Sequence, residues 1–323
     1  MITGRRAMKR CPTCSREWPD DLRFCPQDAT PLRPAGTESG LVGAVLAERY
    51  LIHEKLGQGG MGAVYRGEHV RIGKRAAIKI ISRDLAGDPD AIARFTREAR
   101  NAARIEHPNV CAIYDFGETD DGLIYLAMEF VDGESLADLL DREGRLPLLR
   151  AATIVDQCCQ ALGAAHKLDI VHRDIKPDNI MIAMRGDGRD IVKVVDFGIA
   201  KAVAGAGQTV TSTGLVIGTP YYMSPEQVGG RALDGRSDIY SLALVLFKML
   251  TGKLPFWAET TQDVLLQRLM ADPLALADAW PEGSPPWGAP GRAGPRVGPR
   301  SRAPVRNGAG VRAVSRGRRG GRA

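Results

Sequence analysis

The sequence contains no long uninterrupted run of apolar residues. A helix that crosses a membrane needs roughly 18 or more of them, and the most apolar stretch, Ile239 to Leu250, is interrupted by Lys248. No apolar segment follows the basic N-terminus, so a secretory signal is not predicted. We therefore expect a cytoplasmic protein without a membrane span.

Cysteine is also scarce, with six residues in a chain of 323. Three of the six lie near the start and the others are scattered, which is not the pattern of a small secreted domain held by disulfides. The apolar and charged fractions, 44% and 25%, are those of an ordinary globular protein.

Excess positive charge is missing from most of the chain. The net charge is +6, but ten arginines and one glutamate lie from residue 281 onward. The residues before that point are therefore slightly acidic. Nucleic-acid binding is not expected of them, and only the basic tail is suited to it.

Composition divides the chain into four regions. They are a Cys- and Pro-rich segment (1–35), a linker (36–49), a region of regular periodicity (50–275) and a tail of mostly Pro, Gly, Ala and Arg (276–323). The periodic region begins with strand-like patterns and continues with helical ones, so an α+β fold is predicted. The tail has too few apolar side chains to form a core and is predicted to be disordered.

The segment GQGGMGAV places Gly57, Gly59 and Gly62 at G-x-G-x-x-G spacing. Glycines allow backbone amides to approach phosphate oxygens, but the same spacing also suits a tight hairpin. The following residues, AVYRGEHV, alternate as a strand does, whereas a dinucleotide-binding fold needs a helix there. A glycine-rich hairpin that covers a nucleotide is therefore favoured.

Residues suited to phosphoryl transfer follow later in the chain. The segment HRDIKPDN contains Asp174, Lys176 and Asn179, and the segment DFG contains Asp196. Transfer to a hydroxyl needs a carboxylate to align the acceptor, oxygen ligands for Mg²⁺ and positive charge near the moving group. Each residue alone is compatible with an ordinary polar turn, but together they meet every requirement.

The order of these motifs resembles that of bacterial eukaryotic-like serine/threonine protein kinases. The motifs are the glycine loop, AAIK with Lys79, the helix acid Glu98, HRDIKPDN, DFG and SPE. The resemblance covers residues 50–275. It implies a bilobal protein-kinase fold with a β-rich N-lobe and a helical C-lobe. It also implies that the γ-phosphate of ATP passes, with the help of Mg²⁺, to Ser or Thr hydroxyls of protein substrates.

The resemblance implies a catalytic role for four matching residues. Asp174 would align the acceptor hydroxyl, and Lys176 would steady the γ-phosphate. Lys79 would contact the α- and β-phosphates, and in the active enzyme it would pair with Glu98.

The metal and nucleotide ligands are implied in the same way. Asn179 and Asp196 would bind Mg²⁺ through oxygen atoms. The nucleotide would lie against the glycine loop, the side chains that sandwich adenine, the back-pocket residue and the hinge. The glycine loop is formed by Gly57, Gly59 and Gly62, and adenine would be sandwiched by Leu56, Val64, Ala77 and Met181. The back-pocket residue would be Met128, and the hinge would be Glu129 with Val131.

Regulation by phosphorylation is a further implication. Arg173 resembles the arginine that binds a phosphorylated activation loop. The loop between DFG and SPE contains Thr211 and Thr213. We expect autophosphorylation at Thr211 or Thr213, although an unregulated polar loop would have a similar composition. Thr219 would help to position the acceptor, and Asp238 resembles a buried acid that supports the catalytic loop.

The N-terminal segments CPTC and CPQD look like a zinc ribbon. Cys11, Cys14 and Cys25 are candidate thiolate ligands, and Asp28 stands where a fourth Cys is usual. Three Cys and one Asp form a chemically reasonable zinc site, and the alternative is a vestigial site without metal. Because the charges of this segment are mixed, we expect it to dock to protein rather than to nucleic acid.

The family pattern stops after residue 280. Family members continue with several helices and with an Arg that pairs with the acid at the position of Glu226, so the C-lobe is expected to lack its last helices. The tail is interpreted as a product of frameshift or truncation, with a genuine basic extension as the alternative.

Three functions are therefore considered. The favoured one is an active, autophosphorylating kinase, and the second is a non-catalytic ATP-binding or scaffold protein. The third is a zinc-ribbon adaptor whose basic tail binds nucleic acid. The substrate protein, the upstream signal and the oligomeric state do not follow from the sequence.

Overall fold

A computed structural model describes residues 8–10, 16–19, 22–30, 33–35, 41–59, 62–81, 89–119, 122–184, 186–197 and 220–280. The expectations about Cys11, Cys14, Thr211, Thr213 and Thr219 therefore lie outside the described residues. The expectations about the tail beyond residue 280 lie outside them as well.

A small antiparallel sheet lies in the N-terminal segment. Its strands are β1 (Met8–Arg10), β2 (Glu17–Pro19) and β3 (Arg33–Ala35), in the order β2-β1-β3. Cys25 is buried in the same segment, with Trp18 and Leu22 packed against it.

A six-stranded antiparallel sheet forms the first part of the periodic region, in the order β4-β5-β6-β7-β9-β8. This sheet confirms the strand-like patterns predicted for the start of the periodic region. The apolar run RAAIKII becomes β7, in the interior of the sheet, as its composition predicts. The six strands are β4 (Val45–Leu46), β5 (Tyr50–Gly59), β6 (Gly62–His69), β7 (Arg75–Ile81), β8 (Ile113–Glu118) and β9 (Ile124–Glu129).

The first helix, α1 (Pro89–Ala102), packs on this sheet. Phe95, Ala99 and Ala102 are buried along one face, as the helical spacing of the apolar residues predicts. The Phe95 ring meets Phe116 of β8 edge to face, with 6.5 Å between the ring centroids. This contact fixes α1 against the edge strand of the sheet.

The second part of the periodic region is mainly helical, which confirms the predicted α+β order of elements. A small sheet of order β10-β11-β12 and two short 3-10 turns, Pro177–Asn179 and Pro220–Tyr222, accompany the helices. The strands are β10 (Gly133–Ser135), β11 (Ile180–Met184) and β12 (Asp190–Val194). The helices are α2 (Leu136–Glu143), α3 (Leu148–His166), α4 (Pro225–Val228), α5 (Gly235–Thr251), α6 (Thr261–Met270) and α7 (Leu276–Ala279).

Local sequence explains where the long helices begin and end. Pro147 is the residue before α3, where its fixed φ is compatible with helix entry. Asp234 caps α5 by accepting the N–H of Arg236, and Gly252 ends α5 in the left-handed conformation with φ 73°.

One apolar core joins the two parts. It extends from α1 and the back of the large sheet to the buried faces of α3 and α5, so that Phe95, Leu126, Leu162 and Val245 belong to the same cluster. The described residues all belong to one compact unit, Met1–Gly283. Within the described part of the chain, no helix is both long enough and apolar enough to cross a membrane.

The core assignment can be tested on α3. Leu162 is 0% exposed, whereas Leu149 of the same helix is 82% exposed. Replacing Leu162 by Ala should lower the free energy of unfolding by about 2–5 kcal/mol, because it leaves a cavity, and Leu149→Ala should change it by less than about 0.5 kcal/mol. Urea unfolding followed by circular dichroism measures both changes. Equal losses would show that α3 does not bury the assigned face.

Candidate active site

The loop that contains HRDIKPDN is held from beneath by a buried carboxylate. Asp238, in the first turn of α5, is 1% exposed. Its Oδ2 accepts the N–H of His172 and its Oδ1 accepts the N–H of Arg173, both at 2.8 Å. His166 Nε2 also lies 2.8 Å from Oδ2. These contacts compensate for the desolvation of the carboxylate and give Asp238 the supporting position expected from the sequence.

Arg173 has a strained backbone that its neighbours stabilise. Its φ is 66°, in the left-handed region that is unfavourable for a residue with a side chain. Its N–H is held by Asp238, and its carbonyl accepts Gln227 Nε2 at 2.6 Å. Strain of this kind persists where the surrounding contacts over-determine the conformation.

The three candidate residues of this loop come together around Asp174. Asn179 Nδ2 donates to the Asp174 carboxylate at 3.0 Å and to its carbonyl at 2.7 Å. Lys176 Nζ lies 3.2 Å from Asp174 Oδ2. Because the amide nitrogen of Asn179 is directed at Asp174, the amide oxygen is the atom left for a metal ion.

His172 connects this loop to the DFG segment. Its Nδ1 accepts the N–H of Asp174 at 3.2 Å, so its Nε2 carries the proton and donates to the Val195 carbonyl at 2.9 Å. The imidazole also packs against Phe197, with 4.6 Å between the ring centroids. The two segments that hold the candidate metal ligands are therefore fixed to each other through one side chain.

Asp196 forms an ion pair with Lys79, with 2.7 Å between Nζ and Oδ2. Burial by itself raises the pKa of Asp196, but the charge and hydrogen bond of Lys79, together with the charge of Lys176, make the net shift a lowering. Asp196 is thus held as a carboxylate, the form that binds a divalent cation. Its φ of 61° is a second strained backbone position in the site.

Glu98 is buried in α1, but it is not the partner of Lys79 in this structure. Its carboxylate lies 3.5 Å from Arg97 Nη2, and among the described residues Lys79 pairs with Asp196 instead. The Lys79–Glu98 pair that the resemblance implies for an active enzyme is therefore not formed. The single charge of Lys79 is already used by a nearer carboxylate.

The large sheet presents the predicted nucleotide side chains on one face. Val64 lies opposite Lys79, and Ala77 lies opposite Met128, in the antiparallel pairs β6–β7 and β7–β9. Opposed residues of antiparallel strands share a face, as do residues two apart. Val64, Ala77, Lys79 and Met128 therefore line the same face. Leu56 is exposed on β5, and Met181 is half-buried on β11.

Glu129, the predicted hinge residue, has several contacts. Its N–H donates to the Ala112 carbonyl at 2.8 Å, and its own carbonyl accepts the thiol of Cys111 at 3.4 Å. Its carboxylate pairs with Lys193 Nζ of β12 at 2.7 Å. Glu129 is thereby joined to the strand that leads into DFG. Val131, two residues further on, is half-buried.

A narrow cavity lies behind Met128. Its walls include Ala102 of α1, Cys111, Asp196 and Phe197. Burial, with the charges of Glu129 and Asp196, raises the pKa of Cys111 to about 12, so this cysteine remains a thiol at neutral pH. Met128 itself lines this cavity, and its role as the back-pocket residue stays a prediction.

The glycine motif forms a hairpin, as favoured from the sequence. Strands β5 and β6 pair up to Gly59 opposite Gly62. Gly62 has φ +141°, and a Cβ there would lie 1.9 Å from the Ile80 carbonyl oxygen. A Cβ at Gly57 or Gly59 would meet no atom within 4 Å, so these two positions leave open space beside the backbone. Such space is what the approach of a phosphate requires.

Three residues around the site were missed by sequence analysis: Gln227, Lys193 and Arg268. Gln227 and Lys193 form contacts across long sequence separations, for which the sequence has no local signal. Arg268 follows the buried Val264 by one helical turn. That spacing places an arginine on the apolar face of α6 and is the signal that could have identified it.

The N-terminal candidate ligands are only partly described. Asp28 Oδ1 accepts the N–H of Thr30 at 3.0 Å, a contact typical of a turn. Within the described residues, no three His, Cys, Asp or Glu side chains cluster so as to hold a metal ion. Two of the four predicted ligands, Cys11 and Cys14, lie outside those residues, so the zinc site stays a prediction.

Comparison with known proteins agrees with this geometry. The profile of the family described as "Protein kinase domain" matches residues 50–285. Serine/threonine-protein kinase PknB of Mycobacterium tuberculosis is 44% identical over 232 residues, which are 71% of this chain and 36% of that protein. The protein of the same name from Mycolicibacterium smegmatis is 45% identical over 244 residues, 73% of this chain and 38% of its own.

A solved structure supports the fold as well. A mutant PknI kinase domain of Mycobacterium tuberculosis matches with a TM-score of 0.58 and 27% identity, over 74% of this chain and 84% of that one. The bilobal fold predicted from the sequence is thereby confirmed. The chain spans little more than a third of the length of the PknB relatives, at 36% and 38%.

The Lys79–Asp196 pair makes stability depend on pH. In Lys79→Met the half-buried carboxylate of Asp196 loses its cation, and we expect the free energy of unfolding at pH 7 to fall by about 1–3 kcal/mol. Because folding lowers the pKa of Asp196, the stabilisation is present above the ordinary Asp pKa of about 4. It is lost as pH falls through the lower folded value. Denaturant unfolding at several pH values measures this change.

Lys253→Met is the matched control, since Lys253 is exposed. It should change stability little at any pH. A Lys79→Met deficit that stays the same down to acid pH would contradict the assigned ion pair.

Proposed function

The chain belongs to the protein kinase domain family, and we propose on this premise that it is an ATP- and Mg²⁺-dependent protein serine/threonine kinase. The observation that carries the proposal is the grouping around Asp174. Lys176 and Asn179 contact its carboxylate, and the Lys79–Asp196 pair is joined to the same loop through His172. This donor and ligand set is the one that phosphoryl transfer to a hydroxyl requires.

In the proposed reaction the acceptor oxygen attacks the γ-phosphorus of ATP, and the bond from that phosphorus to the β–γ bridging oxygen breaks. ADP leaves with the electron pair. Asp174 aligns the hydroxyl and accepts its hydrogen bond, and the proton passes to its carboxylate or to solvent. Lys176, next to Asp174, stabilises the negative charge on the transferred group.

Magnesium fits the residues present. Asn179 has its amide oxygen available, and Asp196 is kept ionised. Two oxygen ligands from the protein, completed by phosphate oxygens and water, are usual for this ion. When bound, it would neutralise charge on the β- and γ-phosphates. Asp196 would then need to exchange Lys79 for the metal, and Lys79 would become available to the phosphates and to Glu98.

Ser and Thr are the proposed acceptors, because Lys176 occurs in the HRDIKPDN form that resembles Ser/Thr-specific members. Autophosphorylation is proposed at Thr211 or Thr213, with Arg173 as the residue that binds the phosphate. Thr219 is proposed to help position the acceptor.

The N-terminal segment is proposed to be a separate zinc-binding module. Two observations support this proposal. Cys11, Cys14 and Cys25 have Cys-Pro spacing typical of zinc ribbons, and Trp18 of the small sheet packs against the buried Cys25. The proposed limits are 1–35 for this module, 36–49 for the linker, 50–275 for the kinase domain and 276–323 for the tail.

The main alternative is a protein that binds ATP but does not transfer phosphate. The observation in its favour is that Lys79 is occupied by Asp196 while Glu98 lies apart from it. In such a protein the Lys79–Asp196 pair would persist with nucleotide, and the chain would act as a scaffold.

Asp174→Asn distinguishes the two functions. The purified chain, incubated with Mg²⁺, ATP and a degenerate Ser/Thr peptide library, should phosphorylate peptides and gain mass at Thr211 or Thr213. The variant should lose at least about 100-fold of this activity, because the aligning carboxylate is gone. Phosphopeptide and intact mass spectrometry measure the result. Nucleotide binding, followed by thermal shift with ATP and Mg²⁺, should be retained by both proteins. Binding without transfer by the unmodified chain would favour the scaffold.

Zinc content tests the N-terminal proposal. The purified chain should contain about one zinc ion per molecule by elemental mass spectrometry, and a double Cys11→Ser, Cys14→Ser variant should contain none. Cys159→Ser is the control, since Cys159 is an exposed cysteine of α3. A metal-free chain would show that the site is vestigial.

A further inference from the structure

Arg268 of α6 is a buried cation. It is 3% exposed, and among the described residues no carboxylate lies within ion-pair distance of it. Burial lowers the pKa of Arg268, while the nearby phenols of Tyr240 and Tyr222 act in the opposite direction. Removing a charge from water without an opposite charge is costly, so the contacts that this side chain does make need an explanation.

The guanidinium of Arg268 is directed at backbone carbonyls. Nη1 lies 2.5 Å from the carbonyl oxygen of Met223, and Nη2 lies 2.6 Å from that of Tyr221. A longer contact of 3.5 Å reaches the Pro220 carbonyl. The group also lies over the Phe256 ring, at 5.2 Å, and its Nε is a buried donor without an acceptor in the described structure. The planar guanidinium of Arg268 thus contacts several carbonyls of one short segment, Pro220 to Met223.

That stretch, Pro220 to Met223, is the first described backbone after DFG. Its remaining carbonyl, that of Tyr222, accepts the hydroxyl of Ser241 at 2.7 Å. The carbonyls of Tyr221 and Met223 are therefore held by Arg268, and that of Tyr222 by Ser241. The Pro220 carbonyl accepts the N–H of Met223 at 3.2 Å and has Arg268 at 3.5 Å. The segment has no long regular element of its own to supply these contacts.

The same segment is joined directly to the catalytic loop. Ser224 begins α4 with a capping box, in which Gln227 Oε1 accepts the N–H of Ser224 at 2.9 Å. The other side-chain atom of Gln227, Nε2, donates to the Arg173 carbonyl at 2.6 Å. Arg173 precedes Asp174 in the chain. The backbone that Arg268 holds is thus one capped turn away from the residue proposed to align the acceptor.

We propose that Arg268 is a positioning residue for the polypeptide acceptor, acting through the backbone of Pro220 to Met223. Arg268 keeps this segment close to Asp174, and a protein substrate must lie beside Asp174 to present its hydroxyl. The inference rests on the proposed kinase function. It adds a recognition surface whose geometry is set from α6, away from the nucleotide side of the site.

The test compares Arg268→Met, which keeps the length of the side chain but removes its donors, with Arg268→Lys, which keeps the charge and one donor group. Arg104→Met is the control, because Arg104 is an exposed arginine in the loop after α1. The probe is one acceptor peptide selected from the library assay. We expect Arg268→Met to raise the peptide KM about tenfold, with the KM for ATP within about twofold of the unmodified chain. Arg268→Lys should recover part of the loss, and Arg104→Met should lose nothing.

Amide hydrogen exchange gives a readout that does not need activity. In Arg268→Met, exchange should accelerate in the peptide that contains residues 220–228, while α3 keeps its protection. If the unmodified chain phosphorylates nothing, the kinase proposal fails, and local exchange still decides whether Arg268 holds the segment. If Arg268→Met does not fold, the inference is tested with Arg268→Lys instead, by its peptide KM and by amide exchange in residues 220–228.

Two outcomes would overturn the inference. One is a peptide KM that does not change in a folded variant. The other is a parallel loss in the KM for ATP, the KM for peptide and the protection of α3, which would show that Arg268 supports only the stability of the lobe.

Discussion

The buried carboxylate of Asp238 is the constraint on which the site depends. It accepts two consecutive backbone N–H groups of the catalytic loop and contacts His166. Its place in the first turn of α5 also favours a negative charge. Without these acceptors the loop would have to hold Arg173 at positive φ with buried, unpaired amides. The position of Asp174 is therefore decided by a residue 64 places later in the chain, on a helix whose own ends are fixed by Asp234 and Gly252.

A second constraint is the competition for Lys79. Asp196 has to be ionised to bind a cation, although burial opposes its charge, and in this structure the charge of Lys79 resolves that conflict. The same lysine is implied in binding phosphates and Glu98. One unit of positive charge cannot neutralise two carboxylates, so binding of a divalent metal at Asp196, as proposed, would be coupled to release of Lys79 by electrostatics. The observed pairing and the pairing that the resemblance implies for an active enzyme would then differ only in which carboxylate Lys79 contacts.

Sequence analysis could predict those features that local patterns encode. The G-x-G-x-x-G hairpin, the apolar face of α1, the end of α5 at Gly252 and the grouping of Asp174, Lys176 and Asn179 all follow from short segments. Contacts between distant segments could not be predicted. Lys193 meets Glu129, and Gln227 meets Arg173, only because the fold brings their strands and loops together. The pairing of Lys79 with Asp196 instead of Glu98 depends on how the strand, the helix α1 and the DFG segment are placed relative to one another, which no local sequence pattern specifies.

Apolar and polar interiors have different roles in this molecule. The cluster that joins α1 to α3 and α5 is apolar, and apolar packing is non-directional and tolerates small shifts. Around the loop that contains Asp174, buried polar or charged side chains lie among buried apolar ones such as Ile175 and Ile180. The polar or charged ones include His172, Gln227, Asp238, Ser241 and Arg268. A buried hydrogen bond is lost if its partners move by an ångström, and the unpaired group is then costly. These polar contacts therefore penalise a displacement of the Pro220–Met223 backbone relative to the loop that contains Asp174.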